Sequence, residues 1–273
     1  MARVAGGRPV KICMAGACGR MGRRILEIAL AEGIEVGGAF DVPTMAGMEL
    51  VVGSESHKPR IIAVSGDAGA EIGKSDVLID FTAAEACVGN VAAAAQRRRP
   101  AVVGTTGLDE KQKAELKSHA ETIAIVYAPN MSVGVNLLFK LTSEVASILG
   151  LDYNVEITEI HHNQKKDSPS GTAVHLAERA AQALGLNDRD DVAHGRSGMV
   201  GARPAREIGV HALRGGDVVG EHTVSFVGQG ERIELTHKAH NRDNFARGAL
   251  RAAKFALHAK PGMYDMQDVL GLR

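Results

Sequence analysis

Tryptophan is absent from this chain, and aromatic residues make up 3% of its 273 residues. Few aromatic side chains are therefore available to form a surface on which nucleic-acid bases could stack. Neither sign of charge is in excess, because 32 Lys and Arg residues balance 32 Asp and Glu residues, whereas a nucleic-acid-binding protein would carry a basic excess. We therefore expect no nucleic-acid partner, although a local basic pocket for a small anion is still open.

Cysteines and long apolar runs are also scarce. The three cysteines, Cys13, Cys18 and Cys87, form no C-x-x-C pair, which favours reduced thiols in a cytosolic protein. The first ten residues have no apolar signal core, and no run approaches the roughly 18 apolar residues of a membrane span. We expect a soluble, cytoplasmic protein with no membrane partner, and a hydrophobic content of 45% supplies a sizeable core.

The order of apolar and helical segments divides the chain into two parts. Up to about residue 128, short apolar strands alternate with helices, which indicates a parallel sheet covered on both faces. After residue 130 the chain is strand-rich, with a hairpin signal at residues 228–230 that favours antiparallel pairs. The predicted strands are 10–15, 34–40, 77–82, 101–106, 123–128, 155–162 and three runs within 207–239; the predicted helices are 23–31, one ending at 96, 109–119, 133–149, 172–184 and 241–257. A polar connection at 42–60 and a long loop at 187–204 complete the prediction.

The glycine turn G-A-C-G-R-M-G at residues 16–22 is the first chemical signal. It lies between a predicted strand and a predicted helix. Gly16 lets the chain turn, Gly19 lets the backbone approach a pyrophosphate, and Gly22 lets helix and strand pack closely. Asp41, at the end of the next strand, can accept hydrogen bonds from an adenosine ribose. The pattern predicts a dinucleotide site, with a glycine turn that binds no nucleotide as the alternative.

Three further strand ends agree with a dinucleotide site. Ligands of open α/β sheets bind beyond the carboxyl ends of the strands, and the chain places small or hydroxylic residues there, at 81–82, 104–107 and 128–130. Such residues allow close approach to a nicotinamide and its ribose.

The stretch EIHHNQKKDSPSGTA, residues 159–173, is the second chemical signal. A helix start, hydroxyl groups and lysine charge together predict a site for a small carboxylate. A neighbouring histidine, with an ordinary pKa of about 6.5, suits proton transfer near neutral pH. His161 and His162 are adjacent and cannot easily bind one ion, so we predict no metal site. The alternative is a capped helix start beside a solvated loop.

Taken together, these motifs resemble the dihydrodipicolinate reductase family, also called 4-hydroxy-tetrahydrodipicolinate reductase. FTAAEA, GTTG, APNMSVGVN, RGGDVVGEHTVSF and GERIELTHKA extend the resemblance over nearly the whole chain, and E-I-H-H-x-x-K-x-D-x-P-S-G-T is its most specific element. The resemblance implies an NAD(P)H-dependent reductase of a cyclic imine dicarboxylate in lysine and diaminopimelate synthesis. It also implies an α/β fold: a Rossmann-type parallel-sheet domain (residues 1–131 and 242–273) and a smaller mixed α/β domain (132–241) that binds substrate and builds a homotetramer.

The resemblance further implies a role for each site residue. His161 is the general acid or base and Lys165 the proton donor, while the substrate contacts His162, Ser170, Gly171 and Thr172. The implied cofactor-binding residues are Gly16, Ala17, Cys18, Gly19, Arg20, Met21, Asp41, Gly104, Thr105, Thr106, Ala128, Pro129, Asn130 and Met131. Val42 stands where many family members carry Arg or Lys, so we predict that NADH is used at least as well as NADPH.

Three other kinds of protein are alternatives. Another Rossmann reductase, such as an aspartate dehydrogenase-like enzyme, would share the glycine turn but not H-H-x-x-K with P-S-G-T. A non-catalytic NAD(H)-responsive protein, or a purely structural oligomer, would have no reason to keep a proton donor beside a carboxylate site.

Overall fold

A computed structural model describes residues 9–54 and 57–273. The strands are β1 (Lys11–Ala15), β2 (Glu35–Phe40), β3 (Glu49–Ser54), β4 (His57–Ala63), β5 (Val77–Asp80), β6 (Ala101–Val103), β7 (Ala124–Tyr127), β8 (Asn154–His161), β9 (Val192–His194), β10 (Ile208–Arg214), β11 (Gly220–Val227), β12 (Arg232–Ala239) and β13 (Gly262–Tyr264). The helices are α1 (Arg20–Ala31), α2 (Ala68–Gly73), α3 (Ala84–Gln96), α4 (Glu110–His119), α5 (Val133–Leu149), α6 (Gly171–Leu184), α7 (Asp243–Ala256) and α8 (Met266–Leu270).

The chain forms two compact units. Unit 1 comprises the described residues up to Val133 together with Arg242–Arg273, and unit 2 is Gly134–Asn241. The C-terminal elements α7, β13 and α8 therefore belong to the same unit as the N-terminal strands.

Unit 1 is built on a parallel sheet in the order β13-β7-β6-β5-β1-β2. Side chains alternate between its faces, as they do in any strand. Along β1, Ile12 and Met14 enter one core cluster with α1 and α7, whereas Cys13 and Ala15 enter a second cluster with α3 and α4. Both faces are thus covered, and the predicted parallel sheet is confirmed.

Some elements of unit 1 differ from the sequence prediction. The connection predicted at 42–60 holds most of an antiparallel hairpin, β3–β4, because Leu50 and Val52 are buried beside residues that looked like loop. α1 begins three residues earlier than predicted, directly after Gly19. α2, β13 and α8 were not predicted, and β13 extends the sheet by pairing with β7. β5 and β6 end at Asp80 and Val103, before the polar residues that follow them.

Unit 2 is a mixed sheet in the order β12-β11-β8-β10-β9. β8 pairs antiparallel with β11 and parallel with β10, and β11 pairs antiparallel with β12. One face packs with α5 and α6 in a core that contains Ile157, Phe226 and Leu176. The antiparallel pairs agree with the hairpin prediction. β9 lies inside the segment predicted as a loop, where its parallel pairing with β10 recruits three residues into the sheet.

α5 and the turn after it, Val133–Asp152, are long and apolar enough to cross a membrane by length and composition, with a mean hydropathy of 1.3. The sequence analysis expected no run of that kind. Val135, Leu138, Phe139 and Ala146 are buried in the core of unit 2. About a third of the apolar window is buried, and a single helix of this kind is weak evidence for a membrane span.

Candidate active site

The glycine turn of unit 1 leaves no room for side chains at two positions. Gly16 has φ +79°, a conformation that favours glycine, and a Cβ there would lie 2.4 Å from the carbonyl oxygen of Phe81. A Cβ on Gly22 would lie 2.1 Å from the carbonyl oxygen of Gly16. The turn and the start of α1 are therefore packed against the strand ends, as a dinucleotide fingerprint requires.

The start of α1 suits an anion. Gly19 is the N-cap and has no side chain to accept the first helical N–H groups, and the first turn carries no acidic residue. Free N–H groups and the positive end of the helix dipole favour a phosphate at such a position. Arg20, the first helical residue, adds a positive charge there.

Asp41 connects the glycine turn to the end of β2. Its Oδ2 accepts a hydrogen bond from the backbone N–H of Cys18 at 2.8 Å, and its Oδ1 accepts one from the N–H of Val42 at 2.8 Å. The carboxylate is therefore held in a fixed direction by backbone donors, and each oxygen keeps capacity for a further donor.

Asp80, which the sequence analysis did not select, organises the next two strand ends. This fully buried carboxylate accepts hydrogen bonds from the hydroxyl of Thr105 at 2.6 Å, the hydroxyl of Thr82 at 2.7 Å and the side-chain amide of Asn90 at 2.8 Å. The Thr105 hydroxyl in turn accepts the backbone N–H of Thr82 at 2.8 Å. The ends of β5 and β6 are thus locked together by one acidic side chain.

Two cavities open at these strand ends. The first, of about 550 Å³, is lined by Gly19, Arg20, Met21, Phe81, Thr82, Gly104, Thr105, Thr106, Pro129, Asn130, Met131, Arg242 and Phe245. The second, of about 650 Å³, includes Gly16, Cys18, Gly19, Asp41, Val42, Phe81, Thr82 and Asn90 in its lining. Both have the size usual for small-molecule sites, and they share Gly19, Phe81 and Thr82.

Most predicted cofactor residues line these cavities, and two do not. Ala17 and Ala128 are buried in the core beside them. Conversely, Arg242 and Phe245 line the first cavity although the sequence analysis missed them. They come from the returning C-terminal segment, more than 100 residues from the other lining residues, and no local pattern marks them.

In unit 2, the polar stretch surrounds another buried carboxylate. Glu159, on β8, is fully buried and bonds the Nδ1 atom of His161 at 2.6 Å. Arg214, on β10, donates to both oxygens of Glu159 at 2.8 and 2.9 Å. Burial raises the pKa of Glu159, but these donors and the Ser170 N–H outweigh it and hold the pKa below its usual value.

His161 is 9% exposed and lies on the helix-covered face of the sheet. Burial lowers the pKa of His161. The hydrogen bond that His161 makes to Glu159 opposes that effect in part, and the charge of Lys165 adds to it. The ring of His161 therefore stays neutral down to a lower pH than the ring of a solvated histidine does. His162 follows the end of β8, and its backbone N–H donates to the carbonyl of Val218 at 2.7 Å.

The two adjacent lysines have different surroundings. Lys165 is half-buried and its Nζ donates to both carboxylate oxygens of Asp167 at 2.9 Å. This ion pair holds the pKa of Asp167 below its usual value. Lys166 is exposed. One lysine is therefore positioned and its neighbour faces solvent.

The start of α6 is capped by Ser170, whose hydroxyl accepts the N–H of Ala173 at 3.2 Å. The Nε2 atom of His222, on β11, lies 3.0 Å from the same hydroxyl. Gly171, the first helical residue, is exposed and has open space at its Cβ position, and Thr172 is half-buried. His222 was not selected from the sequence; it is buried, and burial lowers its pKa to about 3.

The structure thus brings His161, Lys165, Ser170 and the start of α6 into one neighbourhood, joined by Glu159, Arg214 and His222. Among residues 9–54 and 57–273, no group of three or more His, Cys, Asp or Glu side chains is arranged to hold a metal ion.

Comparisons with known proteins agree with this arrangement. Residues 10–131 match the family model described as dihydrodipicolinate reductase, N-terminus, and residues 134–270 match that of its C-terminus. The chain belongs to the dihydrodipicolinate reductase family. It is therefore an oxidoreductase, and the match of its N-terminal half supports a nicotinamide dinucleotide, NADH or NADPH, as cofactor.

Relatives give the same family, and a solved structure shows the same fold. The chain is 49% identical over 268 residues to the 4-hydroxy-tetrahydrodipicolinate reductase of Citrifermentans bemidjiense, covering 97% of this chain and 100% of the relative. An Anaeromyxobacter protein of the same name is 49% identical over 266 residues, covering 97% and 98%. A dipicolinate-bound dihydrodipicolinate reductase from Paenisporosarcina has the same fold, with a TM-score of 0.76 at 24% identity over 96% of this chain and 99% of that one.

Proposed function

We propose that this chain reduces 4-hydroxy-tetrahydrodipicolinate to tetrahydrodipicolinate, a step of lysine and diaminopimelate synthesis, in the cytoplasm. The single observation that carries the proposal is the motif stretch of unit 2. There a half-buried lysine, a buried histidine and an open helix start lie together, in a chain whose relatives carry that enzyme's name over their whole length.

Unit 1 is the proposed cofactor-binding domain. The start of α1 would hold the pyrophosphate, Asp41 the adenosine ribose, and the cavity lined by Thr105, Thr106 and Asn130 the nicotinamide. The residues present fit such a group, because Gly16 and Gly22 let the turn pack closely on the backbone around it, and the first turn of α1 carries no acidic side chain or side-chain cap. Bound there, the nicotinamide supplies a hydride.

Unit 2 is the proposed substrate-binding domain. The substrate is a dianion, so its carboxylates would be held by N–H groups and hydroxyls at Ser170, Gly171 and Thr172, with His162 as a further contact. The 4-hydroxyl group of the substrate leaves as water, which gives an unsaturated ring. Reduction of that ring adds a hydride and a proton, and negative charge develops before the proton arrives. We propose that the ammonium of Lys165 neutralises that charge and delivers the proton, and that the ring of His161 acts beside it as a general acid or base.

We further propose a homotetramer. One face of the unit 2 sheet packs with α5 and α6, whereas Thr158, Thr223 and Thr236 on the other face are partly or fully exposed. Pairing of such faces between subunits would cover them.

The proposed roles are tested by three substitutions and a neighbouring control. Lys165→Ala and His161→Ala should lower kcat by roughly 10²-fold or more, the usual effect of losing a positioned acid or base. Thr172→Val should chiefly raise KM for the dicarboxylate, because it acts in ground-state binding. Steady-state kinetics with freshly generated substrate, and NADH titration by fluorescence, are the measurements.

Lys166→Ala is the matched control, since Lys166 is adjacent in sequence and exposed, and its kcat should stay near that of the wild type. NADH affinity should change little in all four variants because the proposed cofactor contacts belong to unit 1. Near-normal turnover of Lys165→Ala, or a loss of NADH binding in all variants, would mean that the site is misassigned.

A further inference from the structure

Glu159 makes more hydrogen bonds than any other side chain of the motif stretch. In addition to His161 Nδ1 and the two bonds from Arg214, its Oε1 accepts the backbone N–H of Ser170 at 2.9 Å. It is fully buried, so every bond is made away from water. A buried carboxylate with this set of donors is ionised and can only accept hydrogen bonds.

The charge of Glu159 fixes where His161 carries its proton. Since the carboxylate only accepts, Nδ1 of His161 must be the donor, which leaves the lone pair of the neutral ring on Nε2. On that side the ring faces Gly220, where a Cβ atom would come within 2.8 Å of Nε2. The glycine therefore keeps the reactive nitrogen free of a side chain that would press on it.

Arg214 extends the same ion pair to the loop that carries Lys165. One of its nitrogens donates to the backbone carbonyl of Asp167 at 2.6 Å, and the side chain of Asp167 holds Lys165. Through Arg214 and the Ser170 N–H, one carboxylate thus contacts or supports all three parts of the stretch: the histidine, the lysine loop and the helix start.

We infer that Glu159, held by Arg214, is a positioning residue that fixes the tautomer and orientation of His161 and ties it to the start of α6. The inference rests on the proposed role of His161 in proton transfer. Glu159 is fully buried, so it acts through His161 and Ser170 and not on the substrate itself.

The chain offers a matched control on the same strand. Glu156 is three residues before Glu159 and points to the opposite face of the sheet. It is likewise bonded by arginines, Arg196 and Arg203, and by the Nε2 atom of His211 at 2.7 Å. Replacing either glutamate by glutamine removes a charge from an Arg–Glu–His cluster, but only one of the two clusters contains His161.

The first measurement is independent of activity. Nitrogen-NMR spectra of histidine-labelled protein should show neutral wild-type His161 with its proton on Nδ1. In Glu159→Gln, either orientation of the amide group turns its NH₂ donor toward one of the donors that Glu159 accepted. The tautomer of His161 should therefore become mixed. Because a negative charge is lost beside the ring, the pKa of His161 should also fall, and its titration should move to lower pH. Glu156→Gln should leave both signals of His161 unchanged.

The second measurement is kinetic. Glu159→Gln should lower kcat about tenfold or more, the scale seen when a metal-ligating histidine loses the partner that orients it, with little change in NADH affinity. Glu156→Gln should leave kcat within about twofold of the wild type, because its partners Arg196, Arg203 and His211 belong to no part of the proposed active site. Arg214→Lys, which keeps the charge but not the paired geometry, should shift kcat in the same direction and gives a second test if Glu159→Gln does not fold.

The outcomes separate the two proposals. The positioning role is overturned if Glu159→Gln and Arg214→Lys behave like Glu156→Gln. That result would be an unchanged tautomer of His161, an unchanged titration of His161 and an unchanged kcat of the enzyme. If instead the NMR changes occur as expected but His161→Ala keeps full turnover, the proposed catalytic role of His161 fails while the assignment of its tautomer stands.

Discussion

Asp41 and Val42 are the neighbouring residues on which cofactor choice depends. The carboxylate of Asp41 is fixed by the N–H groups of Cys18 and Val42, so it cannot easily turn away from a ligand in the second cavity. It can accept hydrogen bonds from ribose hydroxyls but repels a 2′-phosphate. Val42 is 54% exposed and offers no compensating charge.

We therefore expect kcat/KM with NADH to be at least equal to that with NADPH. Val42→Arg should raise kcat/KM for NADPH up to about fivefold relative to NADH, because an exposed ion pair contributes up to about 1 kcal/mol. Val51→Arg is the control, as Val51 is an exposed valine of the same unit that lines neither cavity. Steady-state kinetics with NADH and NADPH measure both expectations. A strong preference of the wild type for NADPH would refute the role assigned to Asp41 and Val42.

The sequence pointed to single residues that lie inside a motif. It did not point to residues that come near the motif only in the folded chain. His161, Lys165 and Ser170 stand in one quoted stretch. Arg214 lies 55 residues from Glu159, and His222 lies 52 residues from Ser170, so only strand pairing brings them together. Glu159 itself was inside the stretch but was passed over, because a carboxylate gains a positioning role only when its partners are known.

β11 and β12 carry a row of hydroxyls on the sheet face that α5 and α6 do not cover. The Oγ1 atoms of Thr223 and Thr236 lie 3.0 Å apart across the two strands, and Thr223 also pairs in register with Thr158 of β8. A flat row of small side chains can pack closely against a second copy of itself, and closed symmetric assemblies are the usual result.

We expect light scattering at micromolar concentration to give the mass of a homotetramer. Thr223→Lys should lower the mass, because it places a long charged side chain in the proposed interface, where burial of a charge is costly. Ser147→Lys, on an exposed position of α5, should leave the mass unchanged. A wild-type monomer with full activity would contradict the tetramer.

Elements were predictable where periodicity and caps agreed. α5 matches its predicted bounds, and α4 begins after Asp109, whose side chain and that of Gln112 form a capping box. The hairpin β3–β4 was missed because Gly53 and Pro59 resemble loop residues. β13 was missed for another reason: three residues carry too little pattern, and their pairing with β7 joins segments more than 130 residues apart.

The stability of the whole chain should depend on pH through its buried histidines. Burial lowers the pKa values of His161 and His237 and brings that of His222 to about 3. In the unfolded chain a histidine titrates near about 6.5. At pH values between the folded and unfolded pKa, the unfolded state binds more protons than the folded state. The free energy of unfolding therefore rises with pH across that window, and this stabilisation is lost as the pH falls.

His222 is the residue that isolates this effect. Each proton taken up on unfolding adds a slope of at most about 1.4 kcal/mol per pH unit, so His222→Gln should flatten the curve of unfolding free energy against pH by about that much between roughly pH 4 and 6. Carboxylates with lowered pKa values, such as Glu156 and Glu159, contribute a slope of the same sign, but they are present in both proteins and cancel in the comparison. The control is His194→Gln, because His194 is an exposed histidine of the same unit, and its curve should stay parallel to that of the wild type.

The free energy of unfolding of all three proteins is measured by urea unfolding at several pH values. Parallel curves for His222→Gln and the wild type would mean that His222 already carries its proton in the folded state, and its bond to the Ser170 hydroxyl would then be that of a charged donor.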